Sequence, residues 1–153
     1  MRQETHYINT LYYQIEQTAK YCRNLGTQLF KKLNICISVE ELVTLDTLSI
    51  YGEICQRDLA KLLLKDRPST GRILNSLEER GLINRFADTK NNRLIRKIVM
   101  TENGKILLKQ TTDVLKVYLR KIPRMLSEEK IEEMKKNMRE FRESLEKEVE
   151  MNI

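Results

Sequence analysis

The feature that most restricts the fold is a dense series of helix signals in the middle of the chain, beginning at Ser38. Ser38 and Glu41 have the spacing of a capping box, and leucines follow at helical intervals, so a helix is predicted up to about Gly52. A short helix is predicted next, over Gln56–Leu64. Its expected inward residues are Leu59, Ala60, Leu62 and Leu63.

A further helix is predicted over Arg67–Arg80, with both ends marked. Asp66 is a good N-cap, and Pro68 lies where backbone N–H groups have no helical partner. Gly81 suits the left-handed position that ends many helices. Because only a break at Lys65 separates this helix from the preceding one, the segment is predicted to be a helix-turn-helix.

Two β-rich runs follow Gly81 directly. Residues 82–87 and 93–100 are separated by the polar segment 88–92, which predicts a hairpin. A helix-turn-helix followed by a two-stranded ribbon is typical of a winged helix. The predicted fold class is therefore mainly α with a small β-hairpin wing.

Three long amphipathic helices are predicted around this segment, over about 7–32, 104–122 and 131–149. A chain of 153 residues has difficulty burying three such apolar stripes within one protomer, so we expect them to pack against a second copy. Residues 1–36 and 102–153 then form a dimerisation region intertwined with a winged helix-turn-helix region at 37–101. A monomeric bundle, with the stripes as ordinary core, remains an alternative.

The net charge of +6 is concentrated in one block. Residues 56–98 contain eleven cations and five anions, whereas the rest of the chain is neutral. The cations are Arg57, Lys61, Lys65, Arg67, Arg72, Arg80, Arg85, Lys90, Arg93, Arg96 and Lys97. This pattern predicts a polyanionic partner, although charge alone does not separate DNA, RNA and an anionic membrane.

Other classes of protein find no support in the sequence. No nucleotide-binding, hydrolase or zinc-protease motif is present, so we expect neither an enzyme nor a cofactor. His6 has no neighbour at metal-ligand spacing, and Cys22, Cys36 and Cys55 form no CxxC pair, so no metal site is predicted. With no apolar leader or membrane-spanning stretch, we expect a cytoplasmic protein and no membrane partner.

Four segments resemble the MarR family of transcriptional regulators. These are residues 56–60 (QRDLA), 66–70 (DRPST), 77–83 (LEERGLI) and 100–104 (MTENG). The resemblance implies a homodimer that places two recognition helices in successive major grooves of a pseudo-palindromic double-stranded DNA site. It also implies a ligand cleft between the dimerisation and DNA-binding regions.

Residues for DNA reading are predicted from the helix over 67–80. Thr70, Ile73, Leu74 and Leu77 form its inward stripe, which leaves polar residues outward. The predicted contacts are Ser69 and Arg72, then Arg67, Ser76 and Asn75. On the wing, Arg93 is the candidate for the minor groove, with Lys90 as a possible substitute, and Arg57 is a candidate phosphate contact.

Two positions depart from the family pattern. Gly71 stands where a polar or β-branched residue is usual, and Asn91 and Asn92 stand near the usual wing-tip Asp that orients an Arg. An Asn accepts a hydrogen bond but carries no charge. The orientation of Arg93 is therefore left open by the sequence.

The resemblance also implies control by a small molecule or by oxidation. Cys22, with Tyr12 nearby in sequence, is the candidate for such a role, and a buried Cys that acts as a small hydrophobe is the alternative. We therefore expect a homodimeric, sequence-specific regulator, with repression as its expected mode. The alternative from another class is a winged-helix module that binds an acidic protein.

Overall fold

The structure, a computed structural model, describes residues 6–120 and 126–148. A 3-10 turn at Tyr7–Asn9 precedes six α-helices and three β-strands in the described residues. They are α1 (Leu11–Lys32), α2 (Val39–Tyr51), β1 (Ile54–Cys55), α3 (Gln56–Leu62), α4 (Arg67–Glu79), β2 (Ile83–Lys90), β3 (Arg93–Met100), α5 (Glu102–Arg120) and α6 (Glu128–Glu148). The predicted winged helix with long flanking helices is confirmed, while the predicted helix ends at Ile122 and Val149 lie outside the described residues.

Local side-chain chemistry accounts for the helix ends. Ser38 and Glu41 form the predicted capping box of α2. Asp66 accepts a hydrogen bond from the Ser69 N–H at 2.6 Å and caps α4, and Gly81 adopts a φ of +67° just beyond that helix. These ends therefore follow from residues close in sequence.

The wing differs from its prediction in two ways. Its turn is shorter, since β2 and β3 pair in register out to Lys90 and Arg93, which leaves only Asn91 and Asn92 in the turn. In addition, Ile54 and Cys55 form a short strand that pairs with β3, giving a three-stranded antiparallel sheet of order β1-β3-β2. A two-residue strand is too short to show alternation in the sequence.

The core lies beneath the sheet, between α2, α3 and α4. Leu45, Leu59, Leu74 and Leu77 are fully buried there. Phe30 of α1 and Leu108 of α5 are buried in the same cluster, together with Ile37, Leu48, Ile73, Leu82, Ile83 and Ile98. The two sequence regions therefore share one core. The inward position predicted for Leu62 is wrong, because α3 ends there and the side chain is 44% exposed.

The start of α5 is packed closely against the end of α4. Thr101 donates its hydroxyl to the Gly81 carbonyl at 2.7 Å and accepts from the Gly104 N–H at 3.1 Å. A Cβ at Gly104 would lie 2.2 Å from the Leu82 carbonyl oxygen, so no larger residue fits without movement. This junction connects the long helix α5 rigidly to the wing.

The flanking helices leave large apolar side chains uncovered in the protomer. Leu11, Leu25, Val117 and Met134 are each about half exposed, and α6 has no buried side chain among its described residues. Cys22, assigned from the sequence to the apolar stripe of α1, is likewise exposed. No described helix is both long and apolar enough to cross a membrane.

Candidate nucleic-acid interface

The N-terminus of α4 is exposed to solvent over Asp66–Pro68. Asp66 accepts from both the N–H and the hydroxyl of Ser69, at 2.6 and 3.0 Å. Both hydrogen bonds lower the pKa of the Asp66 carboxyl, and the one from the Ser69 backbone has the larger effect. Ser69, one of the two main predicted contacts, is thus held in one orientation at the first turn of the helix.

The outward face of α4 carries the other predicted contacts. Arg67 and Arg72 are exposed, and the Arg72 guanidinium donates to the Ser69 hydroxyl at 3.2 Å. The Thr70, Ile73, Leu74 and Leu77 stripe is buried as predicted. An exposed pair of arginines above an apolar anchor is the arrangement that a groove-reading helix requires.

Asn75 and Ser76 are positioned differently from each other. Asn75 is exposed, but its carbonyl oxygen accepts from Arg85 at 2.7 Å, which leaves its NH₂ group as the free donor. Ser76 is half-buried and donates its hydroxyl to Glu41 at 2.6 Å. The structure therefore turns Ser76 toward α2 and away from the outward face.

A cationic cleft of about 1090 Å³ lies between the wing and the start of α3 and α4. We define it by its six basic residues, Arg57, Arg67, Lys90, Arg93, Arg96 and Lys97. It brings Arg57, Arg67, Lys90 and Arg93 together, whereas Ser69, Arg72, Asn75 and Ser76 are not among its lining residues. The predicted site residues thus form two adjoining surfaces.

Three acidic residues also line this cleft, and each lies beside one of its cations. Lys97 pairs with Glu53 at 2.5 Å and with Asp88 at 2.6 Å. The hydrogen bond to Asp88, and to a smaller extent the one to Glu53, raises the pKa of Lys97. The Lys97 ammonium in turn lowers the pKa of Asp88. The third, Asp58, lies 3.8 Å from Arg57.

The four other cations of the cleft lie on the wing strands and at the start of α4. Within the described part of the chain, no ion pair joins an acidic residue to Arg67, Lys90, Arg93 or Arg96. The six cations and three anions that line the cleft leave it a net charge of +3, which creates a positive potential that attracts a polyanion. The cleft is suited to phosphate contacts.

The wing tip shows why two asparagines occur there. Asn91 and Asn92 have φ values of 52° and 59°, and positive φ at both central residues is what a two-residue type I′ hairpin turn requires. Asn tolerates this region better than most residues. The turn places Lys90 and Arg93 opposite each other, both exposed, so the asparagines serve the backbone of the tip.

Sequence reasoning did not single out several residues of this site. Arg96 and Lys97 were recognisable only as members of the basic block. Arg85 contacts Glu78 and Asn75, and Glu41 contacts Ser76, across separations of 7 to 35 residues. No local pattern marks such contacts, because they depend on how α2, α4 and β2 pack.

The candidate regulatory residues, Tyr12 and Cys22, both lie on α1 and are exposed. Tyr12 packs edge-on against Phe141 of α6, with ring centroids 5.8 Å apart. Cys22 and Cys36 are free and exposed, and Cys55 is free and half-buried. Among residues 6–120 and 126–148, no group of three or more His, Cys, Asp or Glu side chains is placed to bind a metal ion.

Comparison with known proteins agrees with this architecture. Residues 37–95, which span α2 to the middle of β3, match the MarR family. No curated protein matches the chain in sequence at a significant level.

Solved structures resemble nearly the whole chain. MepR of Staphylococcus aureus in a DNA complex is 26% identical with a TM-score of 0.70, and the match covers 92% of this chain and 99% of MepR. The transcriptional regulator SlyA has 23% identity and a TM-score of 0.73 over 92% of this chain and 96% of its own. FabT of Streptococcus pneumoniae, solved with DNA, has 22% identity and a TM-score of 0.63 over 90% and 99%. The last two likenesses concern the fold alone.

Proposed function

We propose that the chain is a transcriptional regulator that binds double-stranded DNA sequence-specifically, since residues 37–95 match the MarR family. The observation that carries this proposal is the cationic cleft beside the outward face of α4. The similarity to MepR in its DNA complex, which extends over nearly the whole chain, supports it.

In this proposal α4 enters the major groove. Arg72 and Ser69 contact base edges or phosphates, with Arg67 beside them, because these three residues lie in the first two turns of α4. The amide of Asn75, further along the exposed face of the same helix, adds a donor. Ser76 acts through Glu41 instead of contacting DNA. Gly71 adds no side chain to this surface.

The wing binds the neighbouring minor groove in the same pose. Arg93 extends from the tip of the hairpin, and a cation there is attracted by the negative potential of a narrow, A·T-rich groove. Lys90, its cross-strand partner, adds a second charge at the same tip. Arg57, Arg67 and Arg96 line the cleft behind the tip, where backbone phosphates would pass.

The regulator acts as a homodimer in this proposal. The uncovered apolar side chains of α1, α5 and α6 supply the contact surface. Contiguous exposed apolar side chains on a protein surface often mark a protein–protein contact. A two-fold dimer presents two copies of α4, which matches a pseudo-palindromic site. We further propose that it acts in the cytoplasm as a repressor relieved by a small-molecule or redox signal, as in the family.

Selection of duplexes from a random pool by the purified protein tests the proposal. Recovery of an inverted repeat with half-sites about one helical turn apart, and steep weakening of binding with added salt, are expected. Arg72→Ala should reduce affinity for that duplex about tenfold to a hundredfold. Lys105→Ala is the matched control, because it removes one exposed positive charge paired with Glu102, outside the cleft and off α4.

Two results would contradict the proposal. Selection of no sequence, with Arg72→Ala binding bulk duplex as well as the wild type does, would remove the recognition role from α4. If the chain binds an acidic protein and prefers no duplex, the alternative function, a winged-helix module that binds an acidic protein, would be favoured.

A further inference from the structure

Glu41 is a buried carboxylate at the start of α2, with only 8% of the residue exposed. One of its oxygens has a local role, because Oε2 accepts from the Ser38 N–H at 2.8 Å in the capping box. A capping carboxylate ordinarily needs no more than this and remains in solvent. The burial of Glu41 therefore indicates a second role.

That second role is contact with the far half of α4. Oε1 accepts from the Ser76 hydroxyl at 2.6 Å, and Oε2 lies 3.5 Å from Nη1 of Arg80, the C-cap of α4. A buried carboxylate is strongly destabilising without such partners. Ser76 and Arg80 thus hold α4 at a defined position against the first turn of α2.

The same arginine reaches the segment that connects α1 to α2. Nη2 of Arg80 lies 3.6 Å from Sγ of Cys36, and the neighbouring Ile37 is buried in the core. One network thus joins the segment between α1 and α2, the start of α2 and the end of α4. Its centre is the Glu41 carboxylate.

We propose that Glu41 is a positioning residue that sets the orientation of α4 relative to the long helix α1. This inference rests on the proposed function, in which α1 belongs to the dimer interface and α4 reads DNA. The distance and angle between the two α4 helices of a dimer depend on this junction. Glu41 consequently determines how strictly the protein selects the spacing of two half-sites, without touching DNA.

Glu41→Gln is the most informative variant. The amide keeps the size of the side chain and one acceptor oxygen, but it removes the charge that faces Arg80. Glu40→Gln is the matched control, because Glu40 is adjacent, has a side chain 53% exposed and pairs with Lys65 at 2.5 Å. If Glu41→Gln fails to fold, Ser76→Ala removes a single hydroxyl from the same network.

Hydrogen exchange of the free protein tests the contact without any DNA. Glu41→Gln should raise exchange in residues 76–81 about tenfold, since hydrogen bonds to charged groups are the stronger ones. Exchange in β2 and β3 should stay unchanged, and Glu40→Gln should resemble the wild type throughout. Unchanged exchange in residues 76–81 would overturn the inference.

Binding to duplexes with altered half-site spacing tests the consequence. The wild type should bind its selected site more tightly than a site whose half-sites are one base pair further apart. In Glu41→Gln the logarithm of this affinity ratio should fall to about half of the wild-type value or less. The slope of affinity against salt should be unchanged, because the phosphate contacts remain. Equal discrimination in variant and wild type would refute the positioning role. If the wild type selects no duplex, the proposed function and the spacing role both fall, while the exchange result separately decides whether Glu41 holds α4.

Discussion

Arg85 of β2 and Glu78 of α4 form a three-point contact that joins the wing to α4. The Arg85 backbone N–H donates to Oε1 of Glu78 at 3.2 Å, and Nε donates to Oε2 at 3.0 Å. Nη2 of Arg85 also donates to Oε2 and, at 2.7 Å, to Asn75. Together with the Glu41 network on its other side, this contact fixes α4 between α2 and the sheet.

The Glu78 contact should make stability depend on pH. The side-chain hydrogen bond from Arg85 lowers the pKa of Glu78 below its usual 4.5. A carboxyl with a depressed folded pKa contributes stability above its unfolded pKa, and that contribution disappears as pH falls through the folded value. Because the Glu78 side chain is 38% exposed, we expect Glu78→Gln to cost about 1 kcal/mol at pH 7 and almost nothing near pH 3.

Urea denaturation of both proteins at the two pH values measures this difference. Glu102→Gln is the control, since Glu102 has a side chain 76% exposed and pairs with the exposed Lys105 on the same helix. A destabilisation by Glu78→Gln that is the same at pH 3 and pH 7 would show that the charge of Glu78 is not involved.

Gly71 is predicted to tolerate a side chain. A Cβ there would meet only Nε2 of Gln56, at 3.8 Å, which is ordinary contact. Since Gly within a helix is less stable than Ala by about 1 kcal/mol, Gly71→Ala should raise the thermal midpoint. Gly104→Ala makes the contrast, with an expected loss of about 3 kcal/mol, because its Cβ would collide with the Leu82 backbone. Calorimetry that found Gly71→Ala less stable than the wild type would contradict this assignment.

The wing turn is predicted to depend on backbone conformation and not on the Asn92 side chain. Asn92→Gly should preserve both folding and duplex binding, because Gly adopts φ near 59° without strain. Asn92→Val should weaken binding several-fold, since β-branched residues resist positive φ and the Arg93 position would shift. Affinity measured by fluorescence anisotropy separates the two variants. Equal losses in Asn92→Gly and Asn92→Val would mean that the amide itself supports Arg93.

The apolar face of α6 is predicted to lie in the dimer interface. Met134 is 48% exposed in the protomer and lines an apolar groove with Ile131 and Met138. Met134→Glu should therefore shift the protein toward monomer and weaken binding to a two-half-site duplex at least tenfold, because each protomer then binds alone. Lys136→Glu, two residues along and exposed, should remain dimeric. Sedimentation velocity measures the oligomeric state of both variants. A dimeric Met134→Glu protein would show that this face of α6 is not in the dimer interface.

The chemistry of neighbouring residues was sufficient to predict much of the fold. Asp66, Gly81 and the stripe from Thr70 to Leu77 define α4, because caps and helical periodicity act within a few residues. The hairpin was equally visible, although its turn was predicted too long. The point at which β2 ends and β3 begins is decided by cross-strand pairing, which extends to Lys90 and Arg93.

By itself, the sequence determined the order of the elements, the inward face of α4 and the segment that carries the excess charge, since each depends on local spacing or on composition. Only the tertiary structure decided that Ser76 turns to Glu41, that Arg85 contacts Glu78 and Asn75, and that Leu62 is exposed. It also decided which cations of the basic block form ion pairs with acidic residues. These outcomes depend on side chains brought together from distant parts of the chain, and their packing and charge pairing are set only when the helices and the sheet assemble around one core.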